Sequence, residues 1–286
     1  MDNTQLKKKA LRMQAMMRTA IKLKPARVGV SKFIDTSHGK VRVLEYGFES
    51  AETSPLFIDM HGGGFVLGSA DMDEPMCVYF REQTGAKIIS IDYPKAPTYQ
   101  YPAAVETVYD VIKHYASNAG RYNINPENIG IGGHSAGANL ATVMCIKAKE
   151  KSDFSLKYQI MDYPVCDMTI GAYNRPRPKG ALSPKMVDMF GACYYDNDVA
   201  IARSPYISPV FATKEQLSAL PPALLILAGR DSLHDEGARY LELLRDAGVS
   251  VEVHDFAKSI HGFTYYGKLD AKKGWVLMAD FIRKHL

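Results

Sequence analysis

The chain has no long run of apolar residues. No apolar stretch among its 286 residues approaches the roughly 18 consecutive apolar residues needed to span a membrane. Segment 6–23 is broken by six Lys or Arg residues, so it lacks the apolar centre of a secretory signal. With 47% apolar and 23% charged residues, the composition predicts a soluble globular protein without stable membrane insertion.

Cysteine is also scarce. The four cysteines form no C-x-x-C pair and are too few for a disulfide framework in a chain of this length. We therefore expect free thiols and a cytoplasmic location, and the sequence predicts neither a metal site nor a cofactor.

Negative charge is nearly missing from the first 32 residues. They hold nine Lys or Arg and one acid, a charge of +8, which leaves −4 for the rest of the chain. Such an arm could contact nucleic acid or an anionic membrane. However, Leu6, Ala10, Met13 and Met17 recur at helical spacing with the cations mostly between them, and Ala20 and Ile21 extend this stripe. We therefore predict an amphipathic helix packed on its own protein, with no nucleic-acid partner.

Strand-like and helix-like segments alternate through most of the chain. Eight short β-branched or apolar runs predict strands near 28–35, 40–47, 55–60, 86–92, 129–132, 156–162, 223–228 and 250–256. From the third strand onward, helical segments separate the strands, which indicates right-handed crossovers and a mostly parallel sheet. A proline- and aromatic-rich stretch from Cys166 to Pro209 interrupts the alternation, so we interpret it as an insertion over one edge of the sheet.

A G-x-S-x-G pentapeptide lies between a predicted strand and a predicted helix, with Ser135 at its centre. A sharp turn from strand to helix exposes a serine hydroxyl, and glycine two positions to either side relieves the crowding. The following helix points its N-terminus at the site, where a developing oxyanion would be stabilised. The five residues alone could equally be an ordinary turn, so the interpretation depends on the rest of the chain.

Three consecutive glycines, Gly62 to Gly64, follow the third predicted strand. Glycines in succession let a backbone fold tightly and turn its N–H groups toward one point. Because this tract precedes the serine motif and directly follows a strand, it predicts an oxyanion cradle; the alternative is a flexible loop.

A serine nucleophile needs a histidine base and a carboxylate that holds the base in the correct tautomer. Asp231 follows the seventh strand, whereas Asp235 and Glu236 open the next helix, where acids interact favourably with the helix dipole. His261 lies in the loop after the last strand. The other histidines fit turns, surface helices, a strand or a bracing role beside the glycines: His38, His61, His114, His134, His234, His254 and His285. The predicted catalytic residues are therefore Ser135, Asp231 and His261.

Five motifs occur in order, at 61–68 (HGGGFVLG), 92–106 (DYPKAPTYQYPAAVE), 133–141 (GHSAGANLA), 231–237 (DSLHDEG) and 261–263 (HGF). Together they resemble the hormone-sensitive-lipase-like (bacterial family IV) esterases of the α/β-hydrolase superfamily, from about residue 40 to the end. The resemblance implies an α/β-hydrolase fold, an eight-stranded, mostly parallel, twisted sheet flanked by helices, with a helical cap. It implies the same catalytic triad.

The resemblance also divides the chain. It implies an N-terminal part of the cap leading into the first strand at 1–45, core at 46–165, a cap insertion at 166–212 and core again at 213–286.

The family's oxyanion hole maps onto the backbone N–H groups of Gly63, Gly64 and Ala136. By the same resemblance, we expect substrate contacts from Phe65, Tyr93 and Met17.

The chain departs from the family pattern beside the nucleophile and elsewhere. His134 stands where the family usually has Asp before the serine, and Ala138 stands where it usually has Gly. In addition, Pro94-Lys95 replaces a typical Arg-Leu, and Ser232 replaces a usual Pro. None of these positions belongs to the predicted triad, but they leave the subfamily, and hence the substrate, open.

The sequence therefore predicts a serine carboxylesterase that hydrolyses small esters with short acyl chains through an acyl-Ser135 intermediate, without metal or cofactor. The tyrosine- and proline-rich insertion, with no long apolar loop, favours a closed pocket for soluble substrates. Two alternatives remain: hydrolysis of small arylacetamides by the same acyl chemistry, and a non-catalytic small-molecule binder, which would not need serine, acid, base and oxyanion loop together. A homodimer is left open.

Overall fold

The computed structural model describes residues 2–267 and 270–286. Positions 1, 268 and 269, at the start of the predicted 1–45 part and within the 213–286 part, lie outside the described residues.

An eight-stranded sheet forms the centre of the protein, with strand order β1-β2-β4-β3-β5-β6-β7-β8. Its strands are β1 (Val30–Thr36), β2 (Gly39–Tyr46), β3 (Ser54–Met60), β4 (Lys87–Ile91), β5 (Ile124–His134), β6 (Tyr158–Asp162), β7 (Ala223–Arg230) and β8 (Val251–Ile260). β1 pairs antiparallel with β2, β2 pairs antiparallel with β4, and every other pair is parallel. The predicted fold class is confirmed.

Helices cover both faces of this sheet. The α-helices are α1 (Asn3–Leu23), α2 (Glu74–Thr84), α3 (Ala103–Ser117), α4 (Ala119–Tyr122), α5 (Ala136–Lys151), α6 (Pro184–Tyr194), α7 (Val199–Ala202), α8 (Lys214–Leu217), α9 (His234–Asp246) and α10 (Ala271–Lys284). Two short 3₁₀ turns lie at Ala70–Asp73 and Pro209–Phe211. The short helices α4, α7 and α8 were not predicted, because four residues are too few to show a helical period.

The core has two layers because successive strand residues point to opposite faces. On β3, Leu56 and Ile58 join a cluster with α3, α5 and α9, whereas Phe57 joins a second cluster with α2 and α10. All three side chains are buried. Parallel strands covered on both faces explain the nearly continuous apolar runs of the central strands.

Strands β7 and β8 run further than their sequence pattern predicts. β8 continues past the apolar stretch to Ile260, where it still pairs with Arg230 of β7 after a bulge. Because both strands run parallel, Asp231 and His261 leave the sheet at the same edge. This extension places the predicted acid and base beside each other.

The N-terminal helix α1 packs on the protein, as its apolar spacing predicts. Leu6, Ala10 and Gln14 are its buried residues. The amide nitrogen of Gln14 donates to the carbonyls of Val66 and Ala96, at 2.7 Å each, which fixes the helix beside the glycine-rich loop. The rest of the predicted stripe is only half-buried or exposed, namely Met13, Met17, Ile21 and Ala20.

A buried ion pair anchors the insertion to the core. Glu236 of α9 pairs with Arg175 and also accepts from the backbone N–H of Cys166 at 2.7 Å and of Asp167 at 3.1 Å. Burial raises the pKa of Glu236, although the nearby Arg175 lowers it. The sequence placed Glu236 in the first turn of a helix; the structure adds this anchoring contact across the fold.

In the part of the chain that the structure describes, no helix combines the length and apolarity that crossing a membrane requires.

Candidate active site

Ser135 occupies a strained turn between β5 and α5. Its φ of 56° and ψ of −115° place a non-glycine residue at positive φ, which costs on the order of 1–3 kcal/mol and persists only where the surroundings hold it. A Cβ at Gly133 would lie 2.4 Å from the Met60 carbonyl oxygen, and one at Gly137 would lie 1.9 Å from the same atom. Glycine is therefore required on both sides of the serine, as the G-x-S-x-G pattern implies.

The structure brings the three predicted catalytic side chains into one line. The Oγ of Ser135 lies 3.0 Å from Nε2 of His261, and Nδ1 of the same imidazole lies 2.6 Å from Oδ2 of Asp231. The other carboxylate oxygen of Asp231 accepts from the backbone N–H of Leu233 at 3.1 Å. These contacts fix the carboxylate, the carboxylate orients the imidazole, and the imidazole can take the serine proton.

The glycine-rich loop adopts the tight backbone that its sequence predicts. Gly63 and Gly64 have φ values of 115° and 62°, in the region that favours glycine. A Cβ at Gly64 would lie 2.3 Å from the ring of Phe190, so a side chain there would displace the insertion. Both glycines border the same cavity as Ser135 and His261. Ala136, the third predicted donor, directly follows Ser135 at the start of α5.

Tyr93 supports this loop from behind, whereas the sequence predicted a substrate contact. Its hydroxyl donates to the His61 carbonyl at 2.7 Å, and its ring stacks on the His61 imidazole with centroids 4.2 Å apart. Tyr93 is fully buried and lines neither of the cavities that border Ser135. The substrate-contact prediction is therefore corrected, because the ring is enclosed between the loop and the core.

His61 braces the loop, as predicted. Its Nδ1 lies 2.7 Å from the Gly62 carbonyl oxygen. Burial lowers the pKa of His61 to about 4, so the imidazole is neutral at physiological pH.

Two cavities meet at Ser135. The larger, about 370 Å³, is lined by Phe65 and mostly by residues of the insertion. The smaller, about 170 Å³, is bordered by Met17, the glycine loop and His261. Gly64, Leu182 and Phe190 line both. Of the predicted substrate-contact residues, Phe65 and Met17 therefore each border a cavity beside the serine.

Phe65 is held rigidly in the wall of the larger cavity. Its ring stacks on Tyr194 with centroids 4.1 Å apart and nearly parallel planes.

His134, which the sequence marks as unusual, lies in a buried group of titratable residues beside the nucleophile. The four residues are each at most 3% exposed over the whole residue: His134, Asp73, Asp59 and Asp162. The carboxylates come from separate elements, and only the unusual His134 before the serine hinted at this cluster. Among the residues described, no three His, Cys, Asp or Glu side chains converge so as to hold a metal ion.

Known proteins resemble this chain in sequence. Residues 57–265 match a family described as the alpha/beta hydrolase fold. Esterase LipI of Mycobacterium tuberculosis is 31% identical over 216 residues, which cover 74% of this chain and 67% of that protein. An ethyl acetate hydrolase of Pseudomonas putida is 27% identical over 234 residues, covering 79% of this chain and 72% of that protein.

The fold matches a solved structure over nearly its whole length. An esterase from Pyrobaculum calidifontis superimposes with a TM-score of 0.81 at 31% identity, covering 99% of this chain and 94% of that one. These similarities confirm the family that the five motifs predict. The chain belongs to the hormone-sensitive-lipase-like esterases of the α/β-hydrolase superfamily, a family of carboxylic ester hydrolases.

Proposed function

We propose that this protein hydrolyses small carboxylic esters with short acyl chains through an acyl-Ser135 intermediate. The observation that carries the proposal is the unbroken series of contacts from Ser135 through His261 to Asp231, at 3.0 and 2.6 Å. A serine hydroxyl is a weak nucleophile unless an adjacent base removes its proton. The imidazole is within reach of that proton, and the serine faces open cavity space.

In the acylation step, Oγ of Ser135 attacks the ester carbonyl carbon while Nε2 of His261 takes the hydroxyl proton. The carbonyl oxygen gains negative charge, and the N–H groups of Gly63, Gly64 and Ala136 stabilise it. The intermediate then collapses by breaking the bond to the alcohol oxygen, which receives the proton from His261. In deacylation, His261 removes a proton from water as the water oxygen attacks the acyl carbon. The bond from that carbon to Oγ of Ser135 then breaks, the carboxylic acid leaves, and Oγ takes the proton back from His261.

We further propose that α1 and residues 166–212 together form the cap over this site. Helix α1 packs against α6 of the insertion. The side-chain amide of Asn3 donates to the carbonyl of Asp196 at 2.8 Å, and Lys7 forms an ion pair with the carboxylate of the same residue. These contacts tie the two separated segments to each other, and Met17 of α1 and Phe190 of α6 both border the smaller cavity beside Ser135.

The smaller cavity is the site proposed for the acyl group. It is bordered by the flexible thioethers of Met17, Met72 and Met186, which suit an apolar chain. Its volume of about 170 Å³ is close to that of a cavity that holds benzene, about 150 Å³, and six carbons therefore fill it. The larger cavity reaches the exposed residues Tyr173 and Asn174, which gives the alcohol a way out. The name of the ethyl acetate hydrolase relative agrees with a short acyl group.

A fluorophosphonate should inactivate the protein by forming one covalent adduct at Ser135. The adduct mimics the tetrahedral intermediate, because the phosphonyl oxygen occupies the oxyanion position. Intact-mass analysis should show one adduct per chain, and peptide mapping should place it on Ser135.

The control for this experiment is the exposed Ser155, whose replacement by alanine should leave labelling unchanged. Labelling of another residue, or full activity in a completely labelled sample, would contradict the acyl-serine mechanism.

The acyl-length profile tests the size of the acyl site. With p-nitrophenyl esters from acetate to palmitate, kcat/KM should peak between two and six carbons and be small beyond ten. Each methylene that fits contributes about 0.8 kcal/mol of burial, or about fourfold in kcat/KM, until the cavity is full. Met17→Ala should lengthen the preferred acyl chain by about one to two carbons, because the shorter side chain leaves space in which further methylenes are buried.

Met168 borders only the larger cavity and is the matched control. Met168→Ala should leave the preferred acyl length unchanged. A wild-type maximum at twelve or more carbons would refute the short-acyl proposal, and a shift with Met168→Ala rather than Met17→Ala would reverse the assignment of the two cavities.

A further inference from the structure

His134 and Asp73 form a buried pair directly beneath the glycine-rich loop. Nε2 of His134 lies 3.4 Å from Oδ1 of Asp73, and the two side chains are 4% and 0% exposed. His134 is the last residue of β5 and immediately precedes Ser135. Asp73 ends the 3₁₀ turn that follows the loop. The pair therefore joins the nucleophile turn to the downstream end of the oxyanion loop.

The imidazole of His134 also touches the upstream end of this loop. A Cβ at Gly62 would lie 2.9 Å from Cδ2 of His134, so the ring fills the space beneath Gly62. The rings of Tyr163 and Tyr265 also lie beside it, with centroids 6.1 and 5.5 Å away. The ring thus has little freedom to move, and the position of Gly62 depends on it.

Neither member of the pair has another partner within the described part of the chain. Both oxygens of the Asp73 carboxylate and both nitrogens of the His134 ring are buried without a hydrogen bond. Asp73 precedes α2 but does not cap it, although Asp at this position usually accepts a bond from the helix N-terminus. A carboxylate without other partners at this depth is compensated chiefly by its ion pair with His134.

Acidic side chains around the ring favour its charged form. Burial alone would lower the pKa of His134, but the carboxylates of Asp73, Asp59 and Asp162 outweigh burial and raise it to about 9. Burial raises the pKa of Asp59 to about 8 and that of Asp162 to about 7. Other titratable groups also lie near this cluster, namely His61 on the loop, His261 after β8, Cys77, Tyr46, Tyr93, Tyr163 and Tyr265.

We infer that the His134–Asp73 ion pair is a positioning device, which holds the Gly62–Gly64 turn against the nucleophile turn so that the oxyanion donors are set before substrate binds. Both residues also border the smaller cavity, but neither reacts with substrate; both act through the loop. This inference rests on the proposed acyl-serine mechanism. Loss of the pair should lower kcat and leave KM nearly unchanged, because donors aimed at the oxyanion act mainly in the transition state.

The test is the double variant Asp73→Asn/His134→Gln. Either single variant leaves one buried charge without its partner, whereas the double variant removes both charges together. With p-nitrophenyl acetate, kcat should fall about 10- to 100-fold, as expected for displacement of catalytic groups by up to about 1 Å, and KM should change less than about threefold. The wild-type protein should also lose activity as pH rises through about 9, where the imidazolium discharges. The double variant should lack this alkaline loss.

The stability of the wild-type protein should follow the same titration. The folded-state pKa of His134 lies above the unfolded value of about 6.5. Its contribution to stability is therefore complete below about pH 6.5 and is lost as pH rises through about 9.

A matched control is the pair His38 and Glu106, which are 2.6 Å apart, partly exposed, and border neither cavity beside Ser135. The variant His38→Gln/Glu106→Gln should keep kcat and the alkaline loss of activity. Circular dichroism shows whether the Asp73→Asn/His134→Gln protein folds. A folded double variant with wild-type kcat and a wild-type pH profile would overturn the inference. A loss of about six orders of magnitude in kcat for Ser135→Ala in the same assay would show that this failure leaves the proposed mechanism intact.

If the double variant does not fold, NMR of ¹⁵N-histidine-labelled wild-type protein can test whether His134 carries the charge that the ion pair requires. The His134 imidazole should stay charged at pH 7 and titrate near 9. A neutral His134 at pH 7 would overturn the inference.

Discussion

Replacing Ser135 with alanine should lower kcat by about six orders of magnitude, the loss seen when the nucleophile of a serine hydrolase is removed. The residual rate would come from the oxyanion donors and from binding, which do not need the hydroxyl. The substitution should not disturb the fold, because the backbone N–H of Ser135 still donates to the Asp162 carbonyl at 2.9 Å and alanine is smaller. Steady-state turnover of p-nitrophenyl acetate by purified protein measures the change.

Thermal unfolding should accompany this measurement. Unfolding temperatures of Ser135→Ala and wild-type protein within about 3 °C would show that the lost activity is chemical rather than structural. Ser155→Ala, at an exposed site, should match wild-type protein in both assays. Turnover by Ser135→Ala within tenfold of wild type would exclude this serine as the nucleophile.

The fold and the position of the site follow from the sequence because both depend on periodic or local patterns. Continuous apolar runs alternating with helical segments predict a parallel sheet, and the carboxyl ends of parallel strands share one edge. The turn at Ser135, the residue after β7 and the loop after β8 all lie at that edge. The sequence could therefore bring Ser135, Asp231 and His261 together without knowledge of any side-chain contact.

Contacts between distant side chains could not be predicted in this way. Glu236 and Arg175 are 61 residues apart and pair only because α9 packs beneath the insertion. Gln14 is a polar residue on an apolar helix face. It can be buried because its amide donates to the carbonyls of Val66 and Ala96, which the helical pattern does not predict. Likewise, Tyr93 follows a strand at the catalytic edge, and only the packing of His61 over its ring shows that it faces away from the substrate space.

The electrostatic setting of the nucleophile is a second property that sequence patterns leave undetermined. The sequence shows only that His134 precedes Ser135. The charge of His134 depends on three carboxylates, which come from β3, β6 and the turn before α2. Desolvation and Coulomb attraction act on His134 in opposite directions, so the sign of its pKa shift follows only from distances. The structure supplies these distances. They support the positioning role inferred for His134, which stands where the family usually has Asp.

Replacing Asp231 with asparagine should lower kcat by about four orders of magnitude while the protein stays folded. Asparagine has the same shape, and its side-chain oxygen can still accept the Leu233 N–H that Asp231 accepts at 3.1 Å. Its NH₂ group, however, would donate to Nδ1 of His261, where the carboxylate now accepts at 2.6 Å. The ring would then carry its proton on Nε2, the atom 3.0 Å from Ser135, and could no longer take the serine proton.

Asp235 provides the matched control for the choice of carboxylate. It lies four positions further along the chain, its side chain is 78% exposed, and it contacts His234 at 3.2 Å rather than His261. Asp235→Asn should therefore change kcat by less than about twofold, because a solvated surface pair contributes little. Turnover of p-nitrophenyl acetate by both variants tests the assignment. A large loss of kcat with Asp235→Asn but not with Asp231→Asn would show that Asp231 is not the carboxylate that orients the imidazole of His261.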